Sequence, residues 1–213
     1  EENGMDLKAF YSLSCGLYLV GATHEGKDYG CVVNTVTQVT AEPAKLMVAI
    51  NKQNATTSAV LASGRFEAAV LCETAPMELI GTFGFQTSRE TDKFAPFQTA
   101  RDAHGVPYVT QDTAAHFSCK VVDTLDAGTH MLIIGLVEDA ETLSTGAPMT
   151  YAYYNKVKNG LTPPKAASYQ PPQQKKAGGW RCKVCGYIHE GETLPDGFRC
   201  PICGQPASVF EKL

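Results

Sequence analysis

No apolar run in this 213-residue chain approaches the ~18 residues needed to cross a bilayer, so no membrane span is expected. Its longest apolar stretches, such as Met131–Val137, suit buried strands. Basic excess is also missing: the net charge is −4, which argues against a nucleic-acid backbone as main partner. The first residues, EENGMD, are acidic and lead into no apolar stretch, so no signal peptide is expected. A dinucleotide fingerprint is absent, because Gly81-Thr82-Phe83-Gly84 is too short for GxGxxG. Tryptophan occurs once and no internal repeat is visible. Cysteine, by contrast, is plentiful at eight.

Four of the eight form two hooks, Cys182-x-x-Cys185 and Cys200-x-x-Cys203, within WRCKVCGYIHEGETLPDGFRCPICG. That spacing gathers four thiolates around one point, a tetrahedral site for zinc or iron. Spacing alone leaves both metals open. The tail is too short to fold on apolar burial, so the metal is expected to be its core. Gly186 and Gly204 follow the second cysteine of each hook and permit the tight turns that aim N–H groups at sulfur. Trp180, Tyr187, Phe198 and Phe210 are expected to form a water-excluding aromatic shell, with His189 an exposed turn residue. Cys15, Cys31, Cys72 and Cys119 lie singly in apolar surroundings and are expected to be small buried free thiols, a pattern suited to a reducing cytoplasm.

Composition shifts near residue 160, dividing the chain into a body (1–160), a linker (161–179) and the tail (180–213). LTPPKAASYQPPQQKKAGG holds four of the twelve prolines and ends in a Gly-Gly hinge. At ~3.1 Å per residue such a linker reaches on the order of 50 Å. The body is mainly β. Strands are expected at 15–23 and 28–39 around the turn 24–27, at 46–51, at 65–72, and at 116–125 and 129–140 around Asp126-Ala127-Gly128. Brief helices are expected at 6–13, 55–63 and 76–83, and the whole suggests a barrel or sandwich. In the segment 51–57, Asn54 fits an N-cap, and Lys52, Thr56 and Thr57 with the free N–H groups of a helix start suit a phosphate, though on this segment alone a plain capped helix is the favoured account.

Both parts carry family resemblances. WRCKVCGYIHEGE…FRCPICGQPASVFEKL resembles rubredoxin, in the compact form found at the end of rubrerythrins, and this implies one iron held by Cys182, Cys185, Cys200 and Cys203. NTVTQVTAEPAKLMVAINKQNATTSAVLASGRFEAAVL, with Ser88-Arg89…Asp92-Lys93-Phe94 and Gly128-Thr129-His130…Gly135-Leu136-Val137, resembles the flavin reductase-like, FMN-binding split β-barrel. Ala41-Glu42-Pro43-Ala44 keeps one proline of that family's usual pair, and Thr129 replaces its aspartate. The resemblance implies that Asn34, Thr35, Val36 and Thr37 line the isoalloxazine edge. It places Lys52, Asn54 and Thr56 on the ribityl phosphate, Ser88, Arg89 and Lys93 over it, and His130 on the nicotinamide side. His24, His104 and His116 have no supporting motif and are expected at surface or turn positions.

A hydride brings two electrons and a rubredoxin iron takes one, and a flavin converts between them. The combination resembles the fused flavin reductase–rubredoxin proteins of anaerobes. It implies a cytoplasmic oxidoreductase, homodimeric, passing electrons from NAD(P)H through FMN to iron and on to a flavodiiron-type oxygen or nitric oxide reductase. Two alternatives stand beside it: an FMN–iron relay with no NAD(P)H site of its own, and a zinc-ribbon interaction module on a flavin-free barrel.

Overall fold

The computed structural model describes residues 6–158, 162 and 179–213, so nearly all of the expected linker lies outside the described residues. A 3-10 turn (Leu7–Ser12) precedes β1 (Tyr18–His24), β2 (Lys27–Val33), β3 (Val36–Ala41), β4 (Ala44–Asn51), α1 (Ala55–Ser63), β5 (Arg65–Leu71) and α2 (Met77–Phe85). There follow β6 (Thr99–Arg101), β7 (Pro107–Val109), β8 (Thr113–Asp126), β9 (His130–Thr142), α3 (Tyr151–Lys156), and, in the tail, β10 (Trp180–Cys182), β11 (Ile188–His189) and β12 (Phe210–Lys212). No helix among the described residues is long and apolar enough to cross a membrane.

Local chemistry sets several of these boundaries. Glu25 and Gly26 both have positive φ, the backbone of a two-residue hairpin that follows strand twist, and they join β1 to β2. Asn54 caps α1 by accepting from the Thr56 N–H, and Gly64, left-handed at φ 69°, ends it by donating to the Val60 carbonyl.

The main sheet has seven strands in the order β2-β1-β5-β8-β9-β4-β3, each neighbouring pair antiparallel. Its two edge strands, β2 and β3, are consecutive in the chain and joined by Asn34 and Thr35 alone. A seven-stranded sheet whose edges are two residues apart has to roll up until they meet. The expected single strand 28–39 therefore divides there: β2 pairs with β1 while β3 pairs with β4 at the other edge. The result is a split barrel with its seam at Asn34–Thr35.

Alternation along the strands fills two layers. Val20, Ala22, Phe66 and Ala68 point into the barrel with Ala59 and Val60 of α1. Leu19, Ala69 and Leu71 point outward, under Leu79, Ile80 and Phe83 of α2, Met149, and Tyr154 of α3. Burial on both faces explains why these strands are apolar throughout. The tail folds around its own cluster, a three-stranded sheet in the order β11-β10-β12 with the four cysteines inside.

Candidate functional site

The four cysteines of the tail are all buried, at 1–2% exposure, with their sulfurs within 4.8 Å of one another. Cys182 and Cys203 Sγ lie 3.6 Å apart, Cys185 and Cys200 Sγ 3.4 Å. A tetrahedron with metal–sulfur bonds of ~2.3 Å has edges of about 3.8 Å, so the pocket fits one such ion with little movement. Gly186 (φ 82°) and Gly204 (φ 70°) turn the hooks, and their N–H groups donate to the carbonyls of Cys182 and Cys200. N–H groups that reach sulfur include those of Tyr187, to Cys185, of Gln205, to Cys203, and of Ile202 and Cys203, to Cys200. Crowding also divides the thiols in acidity: the hydrogen bond from Cys185 holds Cys203 down, the same bond pushes Cys185 up, and burial raises Cys200. A cation bound among them would favour the thiolate form of all four. Phe210 packs edge-on to Tyr187 and Phe198, and the Trp180 indole N–H donates to the Glu192 carbonyl, closing the aromatic shell. His189 lies on β11, half-buried against Phe198, rather than in an exposed turn.

In the barrel, the structure gathers most of the expected cofactor residues at one end of the sheet. Asn34 is buried at the seam, Thr35 and Val36 are half-buried, and Thr37 is exposed. The Ala49 N–H donates to the Thr35 carbonyl, which ties the seam to the end of β4. The β4–α1 turn abuts the β8–β9 hairpin: Asn51 pairs with His130, the Lys52 N–H donates to the Thr129 carbonyl, and Lys52 Nζ meets Asp126 at 2.5 Å. The Asp126 carboxyl is held below its usual range by that Lys52 contact. His130 Nδ1 lies 2.9 Å from Thr129 Oγ1.

The helix start is largely self-capped, since Asn51 and Asn54 take the N–H groups of Gln53, Asn54, Thr56 and Thr57. One hydroxyl is left over. Thr56 Oγ1 is buried with no hydrogen-bond partner closer than the Cys31 thiol, which faces it and Asn54. Sulfur is a weak partner, and an unsatisfied buried hydroxyl costs about 1–3 kcal/mol. A phosphate oxygen reaching Thr56 would satisfy it, so the residues present fit a flavin phosphate, with Lys52 as counter-charge once it turns from Asp126.

Ser88, Arg89 and Lys93 lie on the loop that follows α2. Ser88 Oγ accepts from the Gly30 N–H, and Lys93 Nζ donates to the Gly30 and Phe83 carbonyls while 3% exposed. Burial brings the Lys93 ammonium down to about 8, the Cys31 thiol pulling the other way. Arg89 is exposed, and its carbonyl accepts from Lys27 Nζ. Ser88 and Lys93 thus spend their polar atoms fastening the 86–94 loop to β2.

One buried polar group was absent from the sequence reading. His116, expected at the surface, is 2% exposed on β8, stacked on Tyr108 at 3.9 Å with Nδ1 3.0 Å from Glu67 Oε2. Glu67 is fully buried, and burial, with Asp102 behind it, pushes its carboxyl up to about 9. Ser118 Oγ donates to Asp102 at 2.5 Å. The β6–β7 hairpin covers this patch; alternation along β8 marks His116 as outward-facing but carries no signal for the cover. His24 and His104 do lie at a strand end and in a turn. Cys31, Cys72 and Cys119 are buried free thiols as expected, and Cys15 is half-buried.

Residues 10–162 match the family described as flavin reductase like domain, and residues 180–211 match the rubrerythrin, rubredoxin-like domain. A high molecular weight rubredoxin from Moorella thermoacetica is 40% identical over 191 residues, covering 87% of this chain and 83% of that protein. A ferric-chelate reductase (NAD(P)H) from Archaeoglobus fulgidus is 44% identical over 165 residues, 78% of this chain and 98% of that one. An FMN-binding protein from Thermus thermophilus shares the fold, with a TM-score of 0.59 at 22% identity over 65% of this chain and 79% of its own. The chain therefore belongs to the flavin reductase-like family, with a rubredoxin-like domain of the rubrerythrin type joined to it.

Proposed function

We propose that the protein is an electron-transfer oxidoreductase that takes electrons from NAD(P)H into FMN at the barrel seam, passes them to one iron in the four-cysteine knuckle, and delivers them to a separate acceptor of flavodiiron type. The observation that carries this reading is the tetrathiolate knuckle seated on a flavin reductase-like barrel within one chain. The bound groups supply the redox chemistry, FMN accepting electrons in pairs and releasing them singly, iron carrying one. The chain's residues supply position and charge. The backbone from Asn34 to Thr37 presents the seam to the ring edge, and Thr56 and Lys52 hold the phosphate. Ser88 and Lys93 keep β2 in place, with Arg89 at the exposed rim. His130 stands at the same end of the sheet, on the expected nicotinamide side. In the knuckle, the N–H groups of Tyr187 and Gln205 favour the charged sulfurs, and the aromatic shell keeps water from them.

Homology to a ferric-chelate reductase that uses NAD(P)H supports that donor here. Anaerobic mixing with NADH and with NADPH in a stopped-flow instrument tests the order: flavin bleaching followed by iron bleaching is the expected result. Flavin reduction with the iron left oxidised rejects the relay. A second reading, an FMN–iron relay loaded by a partner protein, is favoured by Thr129, which stands in place of the family's aspartate and engages His130 Nδ1. It predicts no oxidation of either nucleotide by FMN-loaded protein. A colourless preparation containing zinc would reject both.

The assembly is proposed as a homodimer. Met47, Leu132 and Ile134 are only half-buried on the outer face of β4 and β9, beside Leu125 at 58% exposure. That face adjoins the seam, so a partner covering it would stand over the cofactor edge. We assign 1–160 to the barrel, 161–179 to the linker and 180–213 to the knuckle.

A further inference from the structure

The α2 sequence, MELIGTFGF, is apolar apart from Thr82 and the exposed Glu78. A short helix with so wide an apolar surface needs cover on more than one face. Leu79, Ile80 and Phe83 are covered by the barrel's outer core. Met77, Gly81 and Phe85, spaced four apart, form a second stripe. Met77 and Phe85 pack on the cluster that contains the four cysteines. Between them, a Cβ on Gly81 would lie 1.8 Å from the Ile202 carbonyl oxygen and 3.6 Å from the Cys203 Cα. Both obstacles are backbone, so no change of rotamer relieves them. Gly84, three residues on, is different: a Cβ there meets only Val32 side-chain atoms, at 3.7 Å and beyond. Glycine weakens a helix interior, and at 81, unlike 84, there is a steric reason why no side chain could take its place. The close approach of Ile202 is that reason.

We infer that the Met77–Gly81–Phe85 stripe is an in-chain dock for the knuckle, which seats its second hook, Ile202–Cys203, over Gly81. Electrons enter the knuckle from the barrel side through that hook. The exposed flank of the first hook, at Lys183 and Gly186, is left for a separate acceptor. The transfer moves one electron from the reduced flavin to ferric iron, with no bond made or broken at sulfur. The dock stands on geometry alone, and its role in electron entry rests on the function proposed above.

The test uses the full chain loaded with FMN and iron. Gly81→Ala is compared with Gly84→Ala, which changes the same helix by the same atom, and with Met77→Glu, which places a charge on the stripe. Small-angle scattering and the rate of tryptic cutting at Lys175 and Lys176 report docking; Trp180 fluorescence reports that the knuckle itself is intact. Gly81→Ala and Met77→Glu are expected to expand the particle, speed cleavage, and slow iron reduction at least about tenfold, the shift that ~1.4 kcal/mol of lost docking free energy produces. Flavin reduction stays unchanged, and Gly84→Ala behaves as the parent in every measurement. Equal compactness and equal cleavage in all three variants overturn the dock. Expansion in Gly81→Ala, with the iron inert in the parent as well, supports the dock and overturns the relay instead.

Discussion

The barrel and the knuckle solve the same problem with opposite means. The barrel buries apolar side chains on both faces of a seven-stranded sheet, and no single group is indispensable to it. The knuckle has 34 residues in its fold, and four of the six buried members of its cluster are cysteines. Its core is a set of metal ligands. One region is therefore stable by accumulation and the other by a single event, and a redox centre gains from the second arrangement. Ligands that are also the core cannot rearrange when the charge of the ion changes.

The largest break in this comparison is expected from Cys203→Ser. Loss of one thiolate removes the core of the knuckle, so Trp180 emission shifts to the red and the visible iron spectrum disappears, while the far-ultraviolet β signal of the barrel persists. Phe66→Ala is the converse. It empties a fully buried position inside the barrel and costs about 3–5 kcal/mol by denaturant unfolding, with the iron spectrum intact until the barrel melts.

A subtler asymmetry is charge. Glu67 has a folded-state pKa near 9 against 4.5 for the free carboxyl, so the native barrel binds a proton that the unfolded chain releases. Its contribution is fully present below about pH 4.5 and is lost as pH rises through 9, at about 1.4 kcal/mol per pH unit in between. Glu67→Gln flattens that slope. Unfolding midpoints measured from pH 5 to 9 check both, and the knuckle's spectrum does not follow them. The smallest effect is Asn54→Ala, about 1 kcal/mol from the lost cap of α1. It also weakens FMN binding, measured by flavin titration, if the β4–α1 turn holds the phosphate.

What was legible in the sequence follows from where each signal resides. The knuckle could be read outright, because its ligands, turns and aromatic shell lie within one short segment. Helix α1 was found to the residue because Asn54 and Gly64 mark its ends. The hairpin at Gly128 was plain for the same reason. The break between β2 and β3 was not, because nothing local interrupts DYGCVVNTVTQV; closure of the whole sheet interrupts it. His116 was misplaced because the hairpin that buries it comes from residues 99–109, whose short strands give little alternation. The hydrogen bonds of Ser88 and Lys93 to Gly30 carry no local signal, because they depend on how the 86–94 loop lies on β2. The knuckle's seat on α2 was visible only as a helix too apolar for one face.

The seam has a consequence in time as well as in space. The strands β1 with β2, and β3 with β4, are neighbours along the chain, so each pair can form early. Between them in the finished sheet stand β5, β8 and β9, contributed by residues up to 142. Asn34 and Thr35 reach their final places only after that later-synthesised hairpin is inserted. The seam is thus expected among the last parts of the barrel to form. In pulse-labelled refolding, amides of Thr35–Thr37 are expected to gain protection after those of Val20–Ala22. A chain still lacking β8 and β9 has both halves of the seam and nothing to hold them side by side.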